Sequence, residues 1–215
     1  LKSYVITILK NEQSVASAER CIRSGKRFGV KIEKFSAITP EDNPIQLAMQ
    51  EGIDPDKFFE KYSRHENCVS AFLSHYNLWK ECIRTKQTFV IFEHDAIVLD
   101  ALPKIRARGC INIGAPSYGK FRTPMHFGVG PLTTKNYFPG AHAYIVSPEG
   151  AKLLVEKAKQ KARPTDIFLN LDTFPWLQEH YPFIAMADDS FSTIQNETGC
   201  FAKHNYDSNY KIINA

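Results

Sequence analysis

The stretch Phe89-Val90-Ile91-Phe92-Glu93-His94-Asp95 decides the fold. Four consecutive apolar residues cannot form a half-solvated strand, because both faces of the chain must be covered; a central strand of an α/β sheet meets that demand. The charged triplet that follows then falls at the carboxyl end of the strand, where open α/β sheets bind ligands. Side chains alternate along an extended chain, so the spacing predicts Glu93 and Asp95 on one side and His94 on the other. Two carboxylates two residues apart make a hard-oxygen site suited to Mg²⁺ or Mn²⁺, either of which can neutralise a diphosphate. The plainer alternative is a strand end bearing ordinary solvent-facing acids, and spacing alone leaves both open.

Working outward, Glu66 to Arg84 predicts a helix, since Val69, Phe72, Leu73, Tyr76, Trp79 and Ile83 recur at three- and four-residue spacing. Tyr4 to Leu9 reads as a buried first strand, Ser14 to Arg27 as a helix with Val15, Ala18 and Ile22 on one face, and Lys31 to Ile38 as a second strand. From Thr39 to Arg64 the chain is polar and broken by Pro40, Pro44 and Pro55, which suggests short surface helices. Asn112 to Gly140 is rich in Gly, Pro and aromatic residues with little regular pattern. A loop so long inside a domain is usually functional, and the span 105–140 is read as a loop region over the active site. Ala143 to Val146 reads as a strand. Ser147 then caps a helix with Pro148 in its first turn, running to about Lys161. Thr165 or Asp166 is expected to cap another short helix, and Phe183 to Ala187 is read as the last strand. Strands alternating with helices place the chain in the α/β class, as one domain over residues 1–215.

Composition narrows the function. The 215 residues are 43% hydrophobic and 23% charged, which excludes a disordered or fibrous chain. Lys and Arg number 27 against 23 Asp and Glu, a net charge of +4, and the pI of about 8.7 falls short of the clustered basicity of a nucleic-acid binder. Cys21, Cys68, Cys82, Cys110 and Cys200 are widely spread with no Cys-x-x-Cys pair, which reads as reduced thiols in a cytoplasmic protein, compatible with the inner face of a membrane. No run approaches the roughly 20 apolar residues of a membrane span, and residues 1–9 read as a strand and not as a signal peptide. Gly128-Val129-Gly130 is a lone Gly-x-Gly without the third glycine of a dinucleotide fingerprint, and no phosphate-binding P-loop or nucleophile elbow is present.

Four ordered blocks point to a family. The segment Glu66 to Lys80, with Ser74-His75 followed by Leu78-Trp79, resembles the helix of glycosyltransferase family 25, and Phe89 to Leu99 resembles that family's apolar strand ending in an Asp-x-Asp-like motif. Gly140 to Leu154 looks like its Gly-x-x-Ala-Tyr-x-x-Ser-x-x-Gly-Ala block, and Arg163-Pro164-Thr165-Asp166 is similar to its later Pro-x-Asp. The resemblance implies a Rossmann-type GT-A fold with a central, mostly parallel sheet. It also implies inverting transfer of a hexose, galactose or glucose, from a UDP-sugar to a glycan, lipooligosaccharide or hydroxylysine-type acceptor, with Mn²⁺ or Mg²⁺. On that reading Asp95 and Glu93 hold the metal, with His204 as a late third ligand, and Ser74, His75 and Glu93 face the donor. Two departures stand out. His94 occupies the middle of the acidic motif, where an acid is common. Leu9-Lys10-Asn11-Glu12 stands where the family shows Asn-Leu-Asp-Arg, so Lys10, Asn11 or Arg20 would have to supply donor contacts. Asp166, at an expected helix N-terminus, is the candidate base or a plain cap. Asp188 and Asp189 are alternates for the base or the metal, or simple loop acids. A catalytically inactive nucleotide-sugar or glycan-binding module, or a metal-dependent phosphodiesterase, are the competing classes.

Overall fold

The computed structural model describes residues 1–60, 63–105, 107–116, 121–188 and 192–194. Nine strands and five α-helices are built there: β1 (Lys2–Thr7), α1 (Glu12–Arg27), β2 (Ile32–Ser36), α2 (Pro44–Gln50), α3 (His65–Thr85), β3 (Phe89–Glu93), β4 (Ala96–Val98), β5 (Cys110–Asn112), β6 (Gly128–Pro131), β7 (Ala143–Val146), α4 (Pro148–Lys161), α5 (Thr165–Phe168), β8 (Gln178–Tyr181) and β9 (Ala185–Ala187), with short 3₁₀ turns at Pro40–Asp42 and Pro55–Phe58. Seven strands form one sheet in the order β2-β1-β3-β7-β5-β8-β6, and β4 pairs with β9 in a small second sheet. Strands β2, β1 and β3 are parallel, β7 runs against its neighbours β3 and β5, β8 is parallel to β5, and β6 closes the edge antiparallel to β8. Five of the seven strands therefore run one way, in a Rossmann-like α/β arrangement.

The apolar run of β3 is buried on both sides. Phe89 and Ile91 join a core with Phe72, Trp79 and Leu154 of α3 and α4, while Val90 and Phe92 join a second core with Ala18 and Cys21 of α1. Strand β7 is divided the same way, Tyr144 and Val146 toward α3 and Ala143 and Ile145 toward α1. Each fully buried Phe, Ile or Val of this kind contributes about 1.5–3 kcal/mol, so one sequence run anchors both layers. At the start of α4 the Ser147 hydroxyl accepts from Gly150 N at 3.1 Å and from Gly109 N at 3.0 Å, tying the helix to β5's approach. A side chain at position 150 would run into the Gly109 backbone, so the close packing there requires glycine.

Several expectations shift. The span Asn112 to Gly140 is not without regular structure: β6 lies inside it, and Thr133 and Thr134 are clamped through backbone and hydroxyl by the buried Glu179 carboxylate of β8. Phe138 N donates to Leu169 O at 2.9 Å, pinning the end of the span to α5. The last strand is shorter than expected, Ala185–Ala187. The N-cap of α5 is Pro164 and not Thr165 or Asp166. Cys21, Cys68, Cys82 and Cys110 are buried free thiols, while Cys200 lies outside the described residues. Among the described residues no helix is long and apolar enough to cross a membrane.

Candidate functional site

The chain enters the sheet at β1, steps outward to β2, and returns through α3 to β3 on the other side of β1. Side connections leave β1 in opposite directions, so a crevice opens at the carboxyl ends of β1 and β3, the place where such sheets hold ligands. A pocket of about 90 Å³ that opens to solvent lies there, lined by Ile6 and Ile8 of β1 and its exit, Ala37 to Pro40 after β2, Asn67, Ser70, Ser74 and His75 of α3, Glu93, His94 and Asp95 after β3, and Ser192 to Ile194.

The alternation predicted from the sequence holds for two of the three residues of the acidic triplet. Glu93, on the side of Phe89 and Ile91, reaches α3, where its Oε1 accepts from His75 Nε2 at 3.0 Å. His94, on the other side, reaches α1, its Nδ1 2.9 Å from Ser14 Oγ. Asp95 does not obey the rule, because β3 ends at Glu93 and His94-Asp95 form a turn. Its backbone carbonyl accepts from Asp188 N at 2.9 Å, and its charge bears on Cys21 of α1. Glu93 and Asp95 both line the pocket, the first from the strand end and the second from the turn after it.

Behind Glu93 runs a buried relay. Trp79 Nε1 donates to Tyr144 Oη at 2.8 Å, and Tyr144 Oη lies 2.8 Å from His75 Nδ1. The Glu93 carboxylate can only accept, so a neutral His75 carries its hydrogen on Nε2, aimed at Glu93, and its Nδ1 accepts from the Tyr144 hydroxyl, whose oxygen takes the Trp79 N–H. Burial supports this assignment, pushing His75 down to about 3 despite the nearby charge of Asp166. The contact is therefore a hydrogen bond from a neutral imidazole and not an ion pair. Both ring nitrogens of His75 are engaged, so it meets the pocket through the carboxylate it orients. Ser74 is engaged as well: its hydroxyl donates to Ser70 O at 2.8 Å and accepts from Ile38 N at 2.9 Å, fixing the exit of β2 against α3.

Of the other candidates, Asn11 is the N-cap of α1, accepting from Ser14 N at 2.8 Å. Lys10 lies at the surface 2.9 Å from Glu41. Neither lines the pocket. Arg20 forms an ion pair with the buried Asp188. Asp166 Oδ1 accepts from Ile167 N at 2.8 Å, and its charge bears on His75, Cys68 and Lys135, which sets it at the α3 side of the site. Asp189 and His204 lie outside the described residues, and among the described residues no three His, Cys, Asp or Glu side chains cluster as a metal site. Glu93 and Asp95 nevertheless suit a hard cation that takes one or two carboxylates and completes its shell with phosphate oxygens and water. Residues not anticipated include Ser14, Asn67 and Ser70. The Ser70 hydroxyl is buried without a partner, and Asn67 and Ser70 precede Ser74 by seven and four residues, on the same helical face.

His75, His94 and His142 are all held neutral by burial, at about 3, 4 and 4, the Arg20 charge adding to the effect at His94. Their folded values lie below the unfolded 6.5, so below pH 6.5 the unfolded chain binds more protons. Stability is then present above pH 6.5 and is lost as pH falls toward 4. Each ring contributes a slope approaching about 1.4 kcal/mol per pH unit. Urea midpoints measured from pH 7 to 5 are expected to fall steadily, ahead of any carboxylate titration. A flat midpoint over that window would show that the rings take up protons in the fold as readily as in the unfolded chain.

Residues 2–110, just over half of the chain, match the family model described as glycosyltransferase family 25 (LPS biosynthesis protein). None of the curated proteins compared with the chain matches it.

Proposed function

Since the chain belongs to glycosyltransferase family 25, we propose that it transfers a hexose, galactose or glucose, from a UDP-sugar to a hydroxyl of a glycan acceptor on a GT-A-type scaffold. The observation that carries this reading is the pocket at the switch point between β1 and β3, where the Ser74-His75 face of α3 meets the Glu93-to-Asp95 turn. A nucleoside diphosphate needs an apolar wall, a few fixed polar groups and compensation for phosphate charge. Ile6, Ile8 and Ile38 supply the wall, and Asn67 and Ser70 supply polar groups for the nucleoside. Asp95 and Glu93 would hold Mg²⁺ or Mn²⁺, which when bound offsets the negative charge of the diphosphate leaving group. His75, backed by Tyr144 and Trp79, holds the Glu93 carboxylate in one orientation. Asp166, whose charge bears on His75, is the base that takes the proton of the acceptor hydroxyl.

Thermal unfolding tests the proposal. UDP with Mn²⁺ binds only the native state, and at about 100 times its dissociation constant it should add about 2.7 kcal/mol of stability. UDP or Mn²⁺ alone should add much less. A chain stabilised by free glycan without metal, and indifferent to UDP with Mn²⁺, would instead be a lectin-like module.

A further inference from the structure

A second concavity of about 670 Å³ lies between the end of α4, α5, the 3₁₀ turn Pro55–Phe58 and the Asn136-Tyr137 segment. Three cations, Lys57, Lys161 and Arg163, line it against a single acid, Asp172. Elsewhere Lys80 is matched with Glu51, Lys10 with Glu41 and Arg20 with Asp188, while several exposed cations among the described residues are not ion-paired. Among the described residues no carboxylate lies within ion-pair distance of Lys57, Lys161 or Arg163. A cation in the last turn of α4 is favoured by the helix dipole, which accounts for Lys161 alone. It does not account for Lys57, brought from a separate turn and held by a 3.1 Å hydrogen bond to Gln160 O, or for Arg163 beyond the helix end.

The position of the groove gives it a role. Ile167, which lines it, directly follows Asp166, and Tyr137, which also lines it, is two residues from Lys135. Lys135 Nζ lies 5.4 Å from the Tyr137 ring centroid, and the Asp166 charge bears both on Lys135 and on His75 in the wall of the first pocket. Asp166 is thus tied by its charge to His75 in the wall of the first pocket and, through its neighbour Ile167, to the lining of the groove.

We propose that this groove is the acceptor site and that it selects anionic saccharides, with Lys57, Lys161 and Arg163 meeting carboxylate or phosphate groups and Tyr137 offering a ring to a sugar face. As an acceptor assignment it rests on the transferase reading above; as a preference for acidic glycans it stands on the groove alone. Guanidinium and ammonium groups in one concavity recognise either acid, the first by paired hydrogen bonds and the second as a point charge. A sugar seated there would offer a hydroxyl at Ile167, the residue next to Asp166, and meet the cations with its charged groups.

The test is calorimetric titration of the whole chain, without donor, using tetragalacturonate, maltotetraose bearing a 6-phosphate, and neutral maltotetraose. The two acidic probes separate a carboxylate from a phosphate preference. At least one should bind about tenfold more tightly than the neutral sugar, a difference of about 1.4 kcal/mol, and the advantage should shrink with added salt. Lys161→Glu combined with Arg163→Glu should erase that advantage while leaving UDP and Mn²⁺ binding as in the wild type, which also reports that the variant is folded. Lys57→Gln should show a partial loss. Equal affinity for acidic and neutral sugars, no binding of either acidic probe, an unaffected double variant, or tighter binding to anionic phospholipid vesicles than to either acidic sugar would each overturn the proposal. Failure of the wild type to bind UDP with Mn²⁺ would count against the transferase reading and leave the charge preference to be judged on its own.

Discussion

Asp95→Ala is expected to abolish sugar transfer and the Mn²⁺-dependent part of UDP binding. Asp95 sits in the turn after β3 and lines the same pocket as Glu93, whose carboxylate is held by His75. Removing one of two carboxylates from a cation that keeps few protein ligands leaves the leaving-group charge uncompensated. Loss of a group that stabilises such charge costs roughly a hundred- to a thousandfold in rate. His94→Ala should be milder, because that ring is turned to Ser14 on α1. Rates measured at saturating UDP-sugar decide the matter, with titration of UDP in the presence and absence of Mn²⁺. Full activity in Asp95→Ala would remove the carboxylate pair from the chemistry.

Asp166→Asn should lower kcat by about a hundredfold or more, the usual contribution of a general base, and leave donor binding almost intact. The substitution is chosen for its geometry. Oδ1 of Asp166 accepts from Ile167 N, and an asparagine oxygen can accept the same bond, so the helix start is preserved while the basicity is lost. A residue that only stabilised this turn would show the opposite pattern, a lowered melting temperature worth about 1 kcal/mol in the alanine variant and a modest kinetic change. If Asp166→Asn transfers sugar at nearly the wild-type rate, the base lies elsewhere. Asp188 is committed to Arg20, so Asp189 would be the first of the alternates to substitute.

What the sequence disclosed followed burial. The runs that became β3, β7, α3 and α4 each carry enough apolar side chains at one spacing to declare their element, and Ser147 with Pro148 marked the start of α4 to the residue. Strands β4, β5, β6 and β8 are three or four residues long, and two of them contain sequences, Gly128-Val129-Gly130-Pro131 and Gln178-Glu179-His180-Tyr181, with no strand pattern of their own. They exist because each finds the other, Gly128 opposite Tyr181 across more than fifty residues of chain, which local periodicity does not record. The site divides similarly. Asn67 and Ser70 were recoverable from helical spacing once Ser74 was singled out. Nothing in the text of the chain announced that Ser14 would bridge Ile8 N to His94, or that Ser192 to Ile194 would return to the pocket, held by Arg64 N on Ile194 O at 2.8 Å.

Because β1, β2 and β3 come before the rest of the sheet in the chain, the walls of the pocket at their ends are spelled out almost wholly between residues 6 and 95, and the basic groove, apart from Lys57, between residues 136 and 173. On the assignments proposed above, two ligands would answer to two successive stretches of coding sequence, the first of them within the part matched to the family. A lineage of such chains can change what it glycosylates by rewriting the second stretch and keep its donor by copying the first. The constraint on that freedom is β7, which falls inside the second stretch yet pairs with β3 and carries Tyr144, the hydroxyl that bridges Trp79 and His75. Those four residues, Ala143 to Val146, have to be inherited with the donor half.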